Sequence, residues 1–110
     1  MGLMRERRSE DRYMCSDLVK VLIAGAEGTA NLEDISPSGA CVQTETEAAV
    51  GAEIEILCRD CRLKGLVRYC RFVETGYDVG VQFAGSAWDP SVYQPEHLLE
   101  LPMKRMEGPA

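Results

Sequence analysis

The sequence predicts an all-β domain, folded as an antiparallel barrel or sandwich. Three observations carry this. Apolar and polar residues alternate with the two-residue period of half-buried strands, most clearly in Tyr77-Asp78-Val79-Gly80-Val81-Gln82-Phe83. Short β-rich runs are separated by turn signals, as in Ser36-Pro37-Ser38-Gly39. The connections are too short for the helical crossovers that parallel strands require. At 110 residues, 45% hydrophobic and 27% charged, the chain has the size and composition of one folded domain with a real core.

The elements follow in order. Residues 1–16 are polar and lack a clean period, so they read as a mobile arm carrying the arginines. The domain itself spans 17–94. Leu18, Val19, Val21, Leu22 and Ile23 form a first strand, ended by Gly25. Gly28 to Ile35 forms a second, ended by the Ser-Pro-Ser-Gly turn. Residues 40–44 form a short third strand. Residues 53–57 alternate polar and apolar, which marks a strand with one wet face. Residues 62–73 form a long fifth strand and residues 77–83 a sixth, with Tyr77, Val79, Val81 and Phe83 facing the core. Pro95 suits the first turn of a helix, so residues 95–110 are expected to hold a short C-terminal helix over Glu96–Leu101 and a frayed tail. Trp88 reads as a packing anchor for that segment.

Composition excludes several functions. The formal net charge of -6 opposes general nucleic-acid binding, which needs a broad basic surface. Residues 5–12 hold four arginines and three acids, too balanced for a polybasic membrane tail. There is no apolar run long enough to span a bilayer and no apolar signal stretch, so the expected location is the cytoplasm. The five cysteines then read as reduced thiols. Cys58-Arg59-Asp60-Cys61 has the spacing of half a zinc site, but there is no second such pair, and the sole histidine, His97, lies far downstream. It reads as two thiols flanking a hairpin turn, and no metal or cofactor is expected. No nucleophile elbow, phosphate loop or catalytic constellation occurs, so the chain does not read as an enzyme.

Two motifs remain. Arg8-Ser9-Glu10-Asp11-Arg12, preceded by Arg7, gathers planar cations. Guanidinium forks clamp phosphate, bond the O6 and N7 acceptors of guanine, or stack on a purine. Asp34-Ile35-Ser36-Pro37-Ser38-Gly39 puts a carboxylate, a hydroxyl and a glycine on one turn. Asp34 suits the paired N–H edge of guanine, Ser36 a phosphate or base edge. Gly39 allows a positive φ or a close backbone approach to a ligand. Read alone, the first motif is a solvated charged arm and the second a turn bonding its own backbone. Together they suit a ligand both anionic and rich in donors, as a guanine nucleotide is.

Arg-x-x-x-Arg followed by Asp-x-Ser-x-x-Gly resembles the PilZ domain family, and the likeness covers about residues 7–84. Gly80-Val81-Gln82-Phe83 is similar to the family's late Gly-Val-x-Phe, and Val67-Arg68-Tyr69 to its preceding strand. The resemblance implies a six-stranded antiparallel β-barrel of PilZ type that binds cyclic di-GMP, a bacterial second messenger, and signals to an unnamed protein partner. By position it makes Arg8 and Arg12 the phosphate and guanine contacts, with Arg7 a further one. Asp34, Ser36 and Gly39 become the second motif. Tyr69 stands where a base-stacking aromatic, more typically Trp, is found. The rival reading is a nucleotide-independent adaptor in motility or secretion.

Overall fold

The computed structural model describes residues 11–99. Six strands, β1 (Tyr13–Ile23), β2 (Ala26–Ser36), β3 (Gly39–Thr44), β4 (Glu53–Leu57), β5 (Arg62–Val73) and β6 (Gly76–Phe83), close into a barrel in the order β1-β2-β3-β6-β5-β4. Every pairing is antiparallel. The two-residue period fills the interior. Val21, Leu32, Ile35, Val42, Ile56, Leu63, Val67 and Val79 are its largest fully buried side chains. Each such residue stabilises the fold by about 1.5–3 kcal/mol over leaving it in water. No helix among the described residues is long and apolar enough to cross a membrane.

The strands of the sequence reading are present, and β4 and β5 have the expected limits. β1 starts earlier. Residues 13–16, expected in the arm, are already strand, and the reason is a bulge: Met14 pairs with Asp34 and Asp17 with Leu32, so Cys15 and Ser16 together face Glu33. A bulge breaks the two-residue period that would have revealed the strand. β1 and β2 turn through Ala24 and Gly25, both at positive φ (50° and 86°), as a two-residue hairpin turn of type I′ requires.

The C-terminal segment also departs from expectation. Residues 96–99 do not open a helix. His97 adopts φ 58°, and the segment lies along the β1 bulge, where Ser16 N–H donates to Glu96 O (3.0 Å) and Leu99 N–H to Met14 O (2.9 Å). Backbone groups that the bulge frees from the ladder thus take their partners from this segment, which outweighs its weak helical propensity. The rest of the expected helix lies outside the described residues. Trp88 does anchor the chain here. It is 4% exposed, its indole N–H donates to Tyr93 O (2.8 Å), and its ring meets Tyr13 edge-on at 5.9 Å. Tyr93, also buried, donates its hydroxyl to Asp17 (2.6 Å).

Candidate functional site

One band on the outside of the barrel differs from the rest. Asp34 of β2 pairs with Cys41 of β3, Cys41 with Gly80 of β6, and Gly80 with Tyr69 of β5. These four residues form a single row across four strands. Both outer members owe their direction to bulges. Leu32 and Asp34 pair with consecutive residues of β3, leaving Glu33 extra. Val67 and Tyr69 pair with consecutive residues of β6, leaving Arg68 extra. Strict alternation from the buried Leu32 and Val67 would turn Asp34 and Tyr69 inward. One extra residue in each strand turns them out.

The row joins the two sequence motifs. The Arg12 guanidinium donates to the Asp34 carboxylate in a close ion pair, Arg12 half exposed and Asp34 only 14% exposed. Partial burial of Arg12 acts against its charge, but the hydrogen bond and negative charge of Asp34 outweigh it and hold the guanidinium above its ordinary pKa. A guanidinium has five donors and a carboxylate about four acceptor sites, so each keeps capacity for a ligand after pairing. Arg7 and Arg8 lie outside the described residues.

The second motif is a tight hairpin. Ser36 pairs with Gly39, and the buried Ser36 hydroxyl donates to Gly39 O (3.3 Å). Ser36 therefore closes the turn. Gly39 is not among the glycines at positive φ. It is needed for a close approach, and the neighbour is β6: a Cβ at this position would lie 2.6 Å from the Val81 carbonyl oxygen. Two hydrogen bonds fix the turn from outside, Phe83 N–H donating to Ser38 O (2.8 Å) and Trp88 N–H to Pro37 O (3.1 Å), while the Trp88 ring holds Tyr13, next to Arg12. Trp88 so braces both motifs.

Tyr69 lies flat over β6. A Cβ on Gly80 would fall 2.1 Å from its Cε2 and 2.5 Å from its Cζ, so only glycine leaves the ring this position. The ring is 41% exposed, with the Arg71 guanidinium 5.7 Å from its centre. Its hydroxyl donates to Cys41 Sγ at 3.8 Å, and burial, then the Cys41 contact, push the phenol up to about 12. Cys41 is 6% exposed, and burial followed by the Asp34 charge raises its thiol likewise to about 12. Such a thiol stays protonated at neutral pH and is a poor nucleophile. The row therefore offers a cation–carboxylate pair at one end, a half-exposed aromatic face at the other and an uncharged floor between. That arrangement has the chemistry to suit a planar, hydrogen-bonding, anionic ligand. It carries no activated nucleophile.

A protein-family model described as PilZ domain matches residues 6–87. The chain belongs to the PilZ domain family. No curated protein matches it in sequence. PilZ domains as a family are receptors for cyclic di-GMP rather than enzymes. Within this PilZ barrel, the structure brings Arg12, Asp34 and Tyr69 to one outer face and puts Ser36 and Gly39 at its edge in framework roles. Sequence reasoning missed Cys41, Glu33, Asp78 and Arg71, and noted Gly80 only as part of the Gly-Val-x-Phe likeness. The alternation of β6 also placed Gly80 and Asp78 outside; the contacts themselves depend on register.

Proposed function

We propose that this PilZ domain is a bacterial, cytoplasmic receptor that binds cyclic di-GMP on the outer face of β2, β3, β6 and β5. The observation that carries the reading is the Arg12–Asp34 pair, which joins Arg-x-x-x-Arg to Asp-x-Ser-x-x-Gly in line with Tyr69. In this reading Arg8 and Arg12 contact phosphate and guanine, with Arg7 supplying further positive charge. Asp34 accepts from the guanine N–H edge, Tyr69 stacks on a base, and Ser36 and Gly39 keep the turn tight beneath the ligand. Bridging the arginine segment and the barrel with a dianion makes a composite surface for a downstream protein, and binding reports through that surface without chemistry.

Calorimetric titration with cyclic di-GMP tests this. Saturable heat is expected, and it is lost in Arg8→Ala and Arg12→Ala variants whose circular dichroism and melting stay close to the parent. Absence of heat and of competition at high protein concentration would reject the reading. One observation favours the adaptor alternative: Arg12 and Asp34 already pair with each other within the protein. An adaptor predicts partner capture that is indifferent to the nucleotide and to both arginine substitutions.

A further inference from the structure

The bulge at Glu33 has a second effect. It leaves an additional acidic side chain beside Cys41 of β3, and Cys41 neighbours Asp78 across the β3–β6 ladder, whose Gln43↔Asp78 pair is the next outward-facing one after Cys41↔Gly80. One carboxylate oxygen of Glu33, one of Asp78 and Cys41 Sγ all lie within 4.8 Å of one another. The two carboxyl groups are partly buried and the thiol nearly wholly so. The thiol has no strong partner. It touches Glu33 Oε1 at 3.9 Å and Tyr69 Oη at 3.8 Å, both at the outer limit for sulfur. The two carboxyl groups lie in hydrogen-bonding contact with each other, and the cation paired with them among the described residues, Arg71, stands 3.8 Å from Asp78 and two-thirds exposed. A polar cluster with one soft and two hard donors within 4.8 Å of one another suits a divalent cation.

We propose that Glu33, Cys41 and Asp78 form a site for a borderline divalent cation of the zinc type, with water as the fourth ligand. The donor set has one thiolate and two carboxylates from three adjacent strands, and it leaves one position open. A tetrahedral zinc needs donors about 3.5 Å apart, so side-chain rotations that move each atom by about 1 Å complete it. Binding replaces the Cys41 proton, which passes to solvent, and takes Asp78 from Arg71. It removes the sulfur acceptor from the Tyr69 hydroxyl, so the metal acts beside that hydroxyl. None of its three ligands belongs to either motif, although Cys41 also lies in the row proposed to hold the nucleotide.

Cobalt(II) is the probe. Titrating the full chain with Co²⁺, in a thiol-free reductant, is expected to produce a thiolate-to-cobalt absorption band in the near ultraviolet that saturates at one equivalent and is displaced by Zn²⁺. Cys41→Ser removes the band. The double variant Cys58→Ser, Cys61→Ser keeps it. Glu33→Gln and Asp78→Asn, which retain every thiol, weaken binding about tenfold or more, comparable to disturbing an established site. Should Cys41→Ser fail to fold by circular dichroism, the Glu33→Gln result decides. No band, a band lost only with Cys58 and Cys61, or a band unchanged in Glu33→Gln would overturn the proposal.

Discussion

The two sides of this barrel are built by different rules. Around β4 the ladders to β1 and β5 run without a register break, the outer residues alternate with the core, and exposed pairs such as Lys20–Glu27 on neighbouring β1 and β2 lie in solvent. Around the Asp34–Tyr69 row, three ladders slip by one residue: β1–β2, β2–β3 and β5–β6. There the outside of the barrel is crowded, partly buried and polar. The comparison teaches that the regular side serves closure, while the irregular side spends ladder regularity on aiming side chains. Bulges placed next to a binding surface are a known device for this.

The sharpest way to break the comparison is at its glycines. Gly39→Ala drives a methyl group against the Val81 carbonyl at 2.6 Å and is expected to cost about 2–3 kcal/mol, read as a lower melting temperature. Gly28→Ala is the control on a roomy part of β2, where the nearest atom is 4.0 Å away, and it should change stability far less. Equal effects of the two would remove the distinction between crowded and open faces.

Thiols at the bulges give the next effect. Burial, then the Asp34 charge, raises Cys15 and Cys41 to about 12 from an ordinary 9.0. Each is neutral in the fold and ionises first in the unfolded chain. Stability from them is therefore complete below about pH 9 and falls as pH rises toward 12, by on the order of 1 kcal/mol per pH unit per thiol. Cys58, raised mainly by burial, adds in the same direction. Denaturant midpoints between pH 8 and 11 check this. The slope should shrink in a Cys41→Ala variant, and an unchanged slope would contradict the assignment.

Gly80→Ala should act on the ligand more than on the fold. The new methyl group displaces the Tyr69 ring, whose exposed position lets it swing away, so cyclic di-GMP affinity is expected to fall about tenfold, as for loss of a stacking contact. Matching affinity in Tyr69→Ala and Gly80→Ala variants would tie the two residues together. Full affinity in both would remove Tyr69 from the site. The smallest effects belong to the regular side. Ala24→Asn at φ 50° should stabilise by up to about 1 kcal/mol, because asparagine tolerates the left-handed region better than alanine. Lys20→Ala, which removes an exposed pair, should stay within about 0.5 kcal/mol.

How much could be read from the chain follows the same division. β4 and β5 were legible to the residue because alternation and turn residues mark them without interruption. The start of β1 was hidden by the bulge at Cys15 and Ser16. The C-terminal segment looked helical because local propensity is all a sequence displays, whereas its partners, Met14 and Ser16, are set by tertiary contact. At the candidate site, Arg12, Asp34 and Tyr69 were legible through motif order. Cys41, Glu33 and Asp78, and the contact of Gly80 with Tyr69, were not, since they meet only through register and bulges between strands distant in sequence. Gly39 does not use a positive φ, and its missing side chain makes room for β6, a contact the sequence does not display.

The central claim is that the irregular face is the receptor surface, and amide chemical-shift mapping tests it most directly. Adding cyclic di-GMP to isotope-labelled protein should move the backbone signals of Arg12, Asp34, Cys41, Tyr69 and Gly80, and leave those of Lys20, Glu55, Leu57 and Lys64 where they are. Shifts confined to the β4 side, or no shifts at saturating nucleotide, would contradict the account.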